Sequence, residues 1–139
     1  MTVVVDTGIL AAALNTQDPR HDTGRALLAR ILRGEYGTPV SSEHVLDEGL
    51  TLLRTRGGRR NLSSLYGDMF LGKDARPPVL QMIMTSRDDL VRAFDIHLQH
   101  YDRKLSMTDC ILAVLAQDLR AVLASFDGGF DGIVPRIAQ

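Results

Sequence analysis

Short apolar runs alternate with amphipathic segments along most of the chain. The β-branched run Thr2–Val5 stops at Asp6 and predicts a buried strand. Four later runs predict further strands, at residues 36–40, 79–84, 121–125 and 133–137. Because helical patterns separate these strands, we expect a mostly parallel sheet of four to five strands with helices on both faces. The predicted fold class is α/β, with three α/β/α layers.

Capping and turn residues mark where the predicted helices begin and end. Helices are expected at residues 9–14 and 60–71, and from the Asp-Pro pair at 18–19, the serines at 41–42 and the Ser-Met-Thr-Asp box at 106–109. The helix that starts at 41–42 is expected to end at the glycines 57–58. A further helix is capped by Thr85 or Ser86, and its pattern directs Val91, Phe94 and Leu98 towards the core.

Composition narrows the classes of protein that fit. The 139 residues suit one domain over residues 1–139. With 16 basic and 17 acidic residues the bulk charge does not indicate nucleic-acid binding, so any such function must rest on a local site. The single cysteine, Cys110, the lack of a signal-peptide pattern and the lack of a long apolar run predict a cytoplasmic protein, not a membrane protein.

Four acidic residues from distant parts of the sequence are expected at one edge of the sheet. Asp6 follows the first strand, Asp127 follows the fourth, and Asp109 lies in the first turn of the helix before that strand. Ligands of open parallel sheets bind at the carboxyl ends of the strands. Glu48 borders the apolar stripe of its helix, whereas Asp47 lies on the opposite side. Converging carboxylates repel one another without a cation, so these four predict a Mg²⁺ or Mn²⁺ site.

Taken singly, each acid also has a purely structural explanation. Asp6 can cap the helix that follows it, Asp109 can complete a capping box, and Asp127 can belong to a glycine turn. Glu48 can lie at a helix edge and reach water. The functional interpretation therefore rests on the four residues together.

The acids lie in four blocks, VVVDTGILAAAL, VLDEGLTLLR, LSMTDCILAVLA and ASFDGGFDGI. In order and spacing these blocks resemble those of PIN domains, above all the VapC-type toxins of bacterial toxin–antitoxin pairs, from residue 3 to about 134. The resemblance implies a Mg²⁺- or Mn²⁺-dependent endoribonuclease whose catalytic and metal-binding acids are Asp6, Glu48, Asp109 and Asp127. It also implies that Thr7 orients the site, that a small antitoxin binds the protein, and that the protein forms a homodimer.

Two details of the site stay open in the sequence. Glycines at 128–129 stand where the family often has a Lys-rich or aromatic dipeptide, so Asp131 could take the role of Asp127. Four arginines follow the second acidic block, namely Arg54, Arg56, Arg59 and Arg60. They could bind RNA phosphates or an acidic segment of the antitoxin, or simply complement the dipole of a helix end.

Two other classes of function compete with the ribonuclease. A PIN-like module could bind RNA or a partner without cleaving anything. A metal-dependent phosphatase or phosphotransfer domain also begins with a strand that ends in Asp, but dehalogenase-type phosphatases need a second Asp two residues later, where this chain has Gly8. Cleavage assays with and without Mg²⁺ distinguish the three classes.

Overall fold

A computed structural model of the chain describes residues 1–56 and 59–139. Within these ranges five strands form one sheet, namely β1 (Thr2–Val5), β2 (Thr38–Ser42), β3 (Gln81–Ile83), β4 (Val122–Ala124) and β5 (Arg136–Ile137). The helices are α1 (Thr7–Leu14), α2 (His21–Leu32), α3 (Glu43–Arg56), α4 (Arg60–Leu71), α5 (Arg87–Gln99) and α6 (Met107–Leu119). The predicted helix end at 57–58 lies outside the described residues. No described helix has the length and apolar character needed to cross a membrane.

The sheet has the order β3-β2-β1-β4-β5, and every pair of neighbouring strands is parallel. Its central strand β1 carries three fully buried valines, as the unbroken apolar run predicts for a strand covered on both faces. The chain moves from β1 outward to β3 and then crosses back to β4 on the other side. Because such crossovers are right-handed, α1 to α4 cover one face and α5 and α6 cover the other. The predicted three-layer α/β/α fold is confirmed.

The first two helices begin at positions that local capping explains. Helix α1 starts at Thr7, two residues earlier than predicted, because Asp6 has extended backbone and caps it. Helix α2 starts at His21, later than the Asp-Pro pair, because the Asp18 side chain first accepts the N–H of Arg20 at 2.8 Å in a tight turn. Both differences are local, and neither changes the order of the elements.

The expectation for the inner face of α5 is wrong. Val91, Phe94 and Leu98 are 49%, 52% and 55% exposed, and the buried side chains of α5 are Ala93 and Ile96. Apolar residues occur on both sides of this helix, so its pattern does not say which side faces inward. The small Ala93 lets α5 approach its neighbour closely, and the larger side chains are left at the surface.

Glu43, the first residue of α3, connects this helix to the end of a strand. In the structure its carboxylate accepts the N–H of Thr85 at 2.8 Å and also lies beside His44. Glu43 therefore ties the start of α3 to the end of β3, which holds the carboxyl edge of the sheet together.

Candidate active site

The candidate acids gather where β1 and β4 end side by side. The chain leaves these two neighbouring strands in opposite directions, and such a switch point opens a crevice in a doubly wound sheet. Val5 is paired with Ala124, so the next residues, Asp6 and Ser125, lie opposite each other. The Asp6 N–H extends the ladder by donating to the Ala124 carbonyl at 3.0 Å. The register of two strands thus fixes the position of the first acid.

Asp6 is a buried carboxylate held by two donors. Its Oδ1 accepts the Thr7 N–H at 2.7 Å, and its Oδ2 accepts the Ser125 hydroxyl at 2.6 Å. Burial above all, together with the charges of Asp109 and Glu48, raises the pKa of Asp6 to about 7, although the two hydrogen bonds lower it. A buried group that resists ionisation beside other acids is one that a cation stabilises strongly.

Asp109 completes the capping box of its helix, and its carboxylate also lies near the other acids. Its carboxylate accepts the Ser106 N–H at 2.8 Å, while its own N–H donates to the Ser106 hydroxyl at 3.1 Å, which completes the capping box of α6. Burial raises the pKa of Asp109, and the charges of Asp127 and Glu48 raise it further. The structural and functional explanations of this residue are therefore compatible.

Glu48 and Asp47 are placed as the helical pattern predicts. Glu48 is half-buried on α3, and its charge raises the pKa of both Asp6 and Asp109. Asp47 is exposed. The side of α3 that packs towards the sheet thus brings its acid within electrostatic reach of the two others.

The two acids of the last block have different surroundings. Asp131 is paired through both carboxylate oxygens with the guanidinium of Arg136, at 2.8 and 3.0 Å, and this pairing lowers its pKa. Asp127 accepts the N–H of Gly129, and its charge acts on Asp109. The geometry therefore favours Asp127 over Asp131 as the fourth acid of the cluster.

The donor set suits a hard divalent cation that keeps part of its water shell. In the ranges 1–56 and 59–139, no three His, Cys, Asp or Glu side chains form a ready-made cage for an ion. Mg²⁺ rarely uses such a cage, since it retains several waters and binds through one or two carboxylates and substrate phosphates. Carboxylates that raise one another's pKa from neighbouring elements fit this mode of binding.

An open groove beside the acids has two arginines as well as three aspartates in its lining. Arg20 and Arg56 line it together with Phe126 and with Asp6, Asp18 and Asp127. The Arg20 guanidinium lies 4.8 Å from the centre of the Phe126 ring, a stacking contact that restricts its motion. The predicted arginine cluster is thus divided, because the other three border a separate recess, namely Arg54, Arg59 and Arg60.

Sequence reasoning missed three residues at this edge. Ser125 had a usable signal, because it stands opposite Asp6 once the two strands are aligned in parallel. Arg20 had none, since it precedes α2 and reaches the groove only through the packing of that helix. Tyr66 shares the regular spacing of Leu62 and Phe70, which is typical of an ordinary core face.

A parallel sheet of this order, with acids from four elements at its switch point, defines the class of protein. The PIN domain profile matches residues 3–134, and the chain belongs to the PIN-domain family. A VapC ribonuclease of Archaeoglobus fulgidus is 30% identical over 131 residues, which cover 94% of this chain and 80% of that protein.

Solved structures agree with this assignment. VapC20 of Mycobacterium tuberculosis, described as a toxin that cleaves the sarcin–ricin loop, has a TM-score of 0.78 and 27% identity over 92% of both chains. VapBC2 of Rickettsia felis, solved with promoter DNA, has a TM-score of 0.68 and 18% identity over 99% of this chain and 98% of that one. The similarity to VapBC2, at 18% identity, shows a shared fold and nothing further.

Proposed function

We propose that this protein is a divalent-metal-dependent endoribonuclease and the toxin of a type II toxin–antitoxin pair. The observation that carries the proposal is the electrostatic coupling of Asp6, Glu48, Asp109 and Asp127 at the switch point of the sheet. The 30% identity to a VapC ribonuclease supports the reaction class. Single-stranded or looped RNA is the substrate class that we expect.

Each residue at the site has a definite task in this proposal. Asp6, Glu48 and Asp109 would hold Mg²⁺ or Mn²⁺, and Asp127 would complete the site. A cation bound there would supply the charge that polarises a phosphodiester and lowers the pKa of a water for attack. Thr7 and Ser125 orient Asp6 through their hydrogen bonds to its two oxygens.

Two further features concern the identity of the nucleophile and the binding of the substrate. Burial raises the pKa of Cys110 to about 11, so this thiol stays protonated and water is the nucleophile. Arg20 and Arg56 line the groove on the side where phosphates of the bound strand would pass.

The experiment is cleavage of a looped RNA with Mg²⁺, with Mn²⁺ and with EDTA. Asp6→Asn and Glu48→Gln should each lower the rate by at least about 10²-fold, because each removes a metal ligand. Asp47→Asn is the matched control, one position away on the exposed side of α3. RNA binding without cleavage by the wild type would instead favour the non-catalytic module, and cleavage that persists in EDTA would exclude the metal-dependent mechanism.

The choice between Asp127 and Asp131 has its own test. We expect Asp127→Asn to slow cleavage more than tenfold, since its charge acts on Asp109. Asp131→Asn should change the rate less than about threefold, because its carboxylate is already bound by Arg136. The reverse order would assign the fourth acid to Asp131.

The partner that we propose is a small antitoxin whose basic side chain enters the acidic groove. An Arg or Lys between Asp6 and Asp109 would neutralise the charge that otherwise holds the cation. Co-expression with the protein encoded next to it should yield a complex without ribonuclease activity. A fully active enzyme after such co-purification would contradict this mode of inhibition.

We also propose a homodimer, acting in the cytoplasm where its RNA is available. The support is an exposed apolar surface made by Phe94 and Leu98 of α5 and by Tyr101 just after this helix. The His97 ring stacks on Phe94 and meets the Tyr101 ring edge-on. Phe94→Asp should give a monomer by sedimentation, whereas Leu71→Asp, at an exposed position on α4, should not. A dimer that survives Phe94→Asp together with Leu98→Asp would place the interface elsewhere.

A further inference from the structure

A buried tyrosine lies directly behind the acidic site. Tyr66 of α4 has no exposed surface, and its ring fills a notch in α3 that only glycine leaves open. A Cβ on Gly49 would stand 2.0 Å from the Tyr66 Cζ and hydroxyl oxygen, closer than any real contact. The glycine at position 49 is thus explained by the ring, which approaches the α3 backbone itself.

The Tyr66 hydroxyl connects two segments that carry candidate metal ligands. It donates to the Val45 carbonyl at 2.6 Å, in the turn of α3 that contains Glu48. On its other side lies Thr7, the residue after Asp6. Burial raises the pKa of Tyr66, the charges of Asp6 and Glu48 raise it further, and the neighbouring Thr7 hydroxyl acts in the opposite direction. The phenol therefore stays protonated and donates permanently.

The Thr7 hydroxyl is a buried neighbour of Tyr66 that the Tyr66 oxygen can bind. This hydroxyl is the one buried side-chain oxygen in the described part of the chain that lacks a partner with hydrogen-bond geometry. Tyr66 has already given its single proton to Val45, so its oxygen can accept from Thr7. A buried polar group is costly when unsatisfied, which favours a hydrogen bond from the Thr7 hydroxyl to this oxygen.

We propose that Tyr66 is a positioning residue, whose hydroxyl fixes the Glu48 turn of α3 relative to the Asp6–Thr7 turn of α1. This inference rests on the proposed function, because the spacing of the two carboxylates matters only if they share a cation. Groups that hold metal ligands from behind typically change metal affinity by 10- to 100-fold when they are removed.

The test is Mn²⁺ binding to the RNA-free protein, followed by electron paramagnetic resonance of the free ion. Tyr66→Phe keeps the ring in its notch and removes the hydroxyl, so we expect the Kd for Mn²⁺ to rise about tenfold. Ile31→Val on α2, a helix without a candidate acid, is the control for lost stability. It should lower the melting midpoint and leave the Kd unchanged.

The glycines of α3 and α4 offer a second, independent comparison. Gly49→Ala must displace the Tyr66 ring, so it should weaken Mn²⁺ binding at least as much as Tyr66→Phe does. Gly67→Ala is the matched control, since nothing lies within 4 Å of an added Cβ there. It should bind Mn²⁺ as the wild type does.

The outcomes separate this inference from the function on which it rests. If Tyr66→Phe melts earlier but binds Mn²⁺ as the wild type does, the tyrosine is only a core residue and the inference is wrong. If Tyr66→Phe does not fold, Thr7→Val replaces it, and an unchanged Kd in that variant equally overturns the inference. A wild type that binds no Mn²⁺ would instead refute the metal site itself.

Discussion

Helices α5 and α6 begin with the same capping box, yet only one of the two boxes faces the candidate site. In α5 the Asp89 carboxylate accepts the Ser86 N–H at 2.9 Å, and the Asp89 N–H donates to the Ser86 hydroxyl at 3.1 Å. In α6 the corresponding distances are 2.8 and 3.1 Å. The sequence Ser-x-x-Asp therefore determines the same local structure twice.

The surroundings of the two aspartates are opposite in charge. Asp89 lies near the guanidinium of Arg92, whose pKa is raised first by its pairing with Asp118 and then by the charge of Asp89. Asp109 instead faces the acids Asp127 and Glu48. A capping box predicts where a helix begins, whereas the topology of the sheet decides whether its acid joins a cluster.

The largest difference between the two boxes should appear in catalysis. Asp109→Asn should lower the rate of RNA cleavage by at least about 10²-fold, because it removes a metal ligand. Asp89→Asn makes the same change at the other box and should leave the rate within about twofold of the wild type. Equal losses in both variants would mean that the aspartates act only as caps.

The second largest difference between the two capping boxes should appear in how much a metal ion stabilises the folded protein. A cation that binds only the folded state adds about 2.7 kcal/mol at a hundred times its Kd. Thermal melts in Mn²⁺ and in EDTA should show this gain in the wild type and in Asp89→Asn, and a smaller gain in Asp109→Asn. If Mn²⁺ moves all three midpoints equally, or none of them, the acids do not form the binding site.

The part of the site that sequence could predict is the part that depends on chain order. Asp6 and Asp127 follow strands, so the alternation of strands and helices was enough to bring them to one edge. The inner face of α5 was predicted wrongly, because only the packing of this helix decides that Val91 and Phe94 lie at the surface. The contacts of Ser125 and Tyr66 depend on strand register and on a missing Cβ at Gly49, and no local pattern encodes them.

The stability of the metal-free protein should depend on pH through the acids that surround the capping box of α6. Asp6 has a pKa of about 7 in the folded state against 3.8 for the ordinary carboxyl group, so the folded protein binds its proton more tightly. The contribution of Asp6 to the free energy of unfolding is then fully present below pH 3.8. It is lost as the pH rises through about 7, which lowers the stability of the metal-free protein by more than about 1 kcal/mol.

The measurement is a series of melts in EDTA between pH 4 and pH 8. Asp109→Asn removes one of the charges that raise the pKa of Asp6, so its stability should fall less steeply with rising pH. Asp89→Asn should reproduce the slope of the wild type. A slope that is unchanged in Asp109→Asn would show that Asp6 does not sense that charge.

The smallest effect should be one that the two boxes share. Ser86→Ala and Ser106→Ala each remove a hydroxyl that accepts one helix N–H, and each should lower the free energy of unfolding by about 1 kcal/mol. Urea unfolding of both variants checks this equality. Because the Asp109 carboxylate keeps the Ser106 N–H, Ser106→Ala should also retain cleavage within a few-fold of the wild type. A loss in Ser106→Ala as large as that in Asp109→Asn would mean that the cap, and not the charge of the carboxylate, is what the site requires.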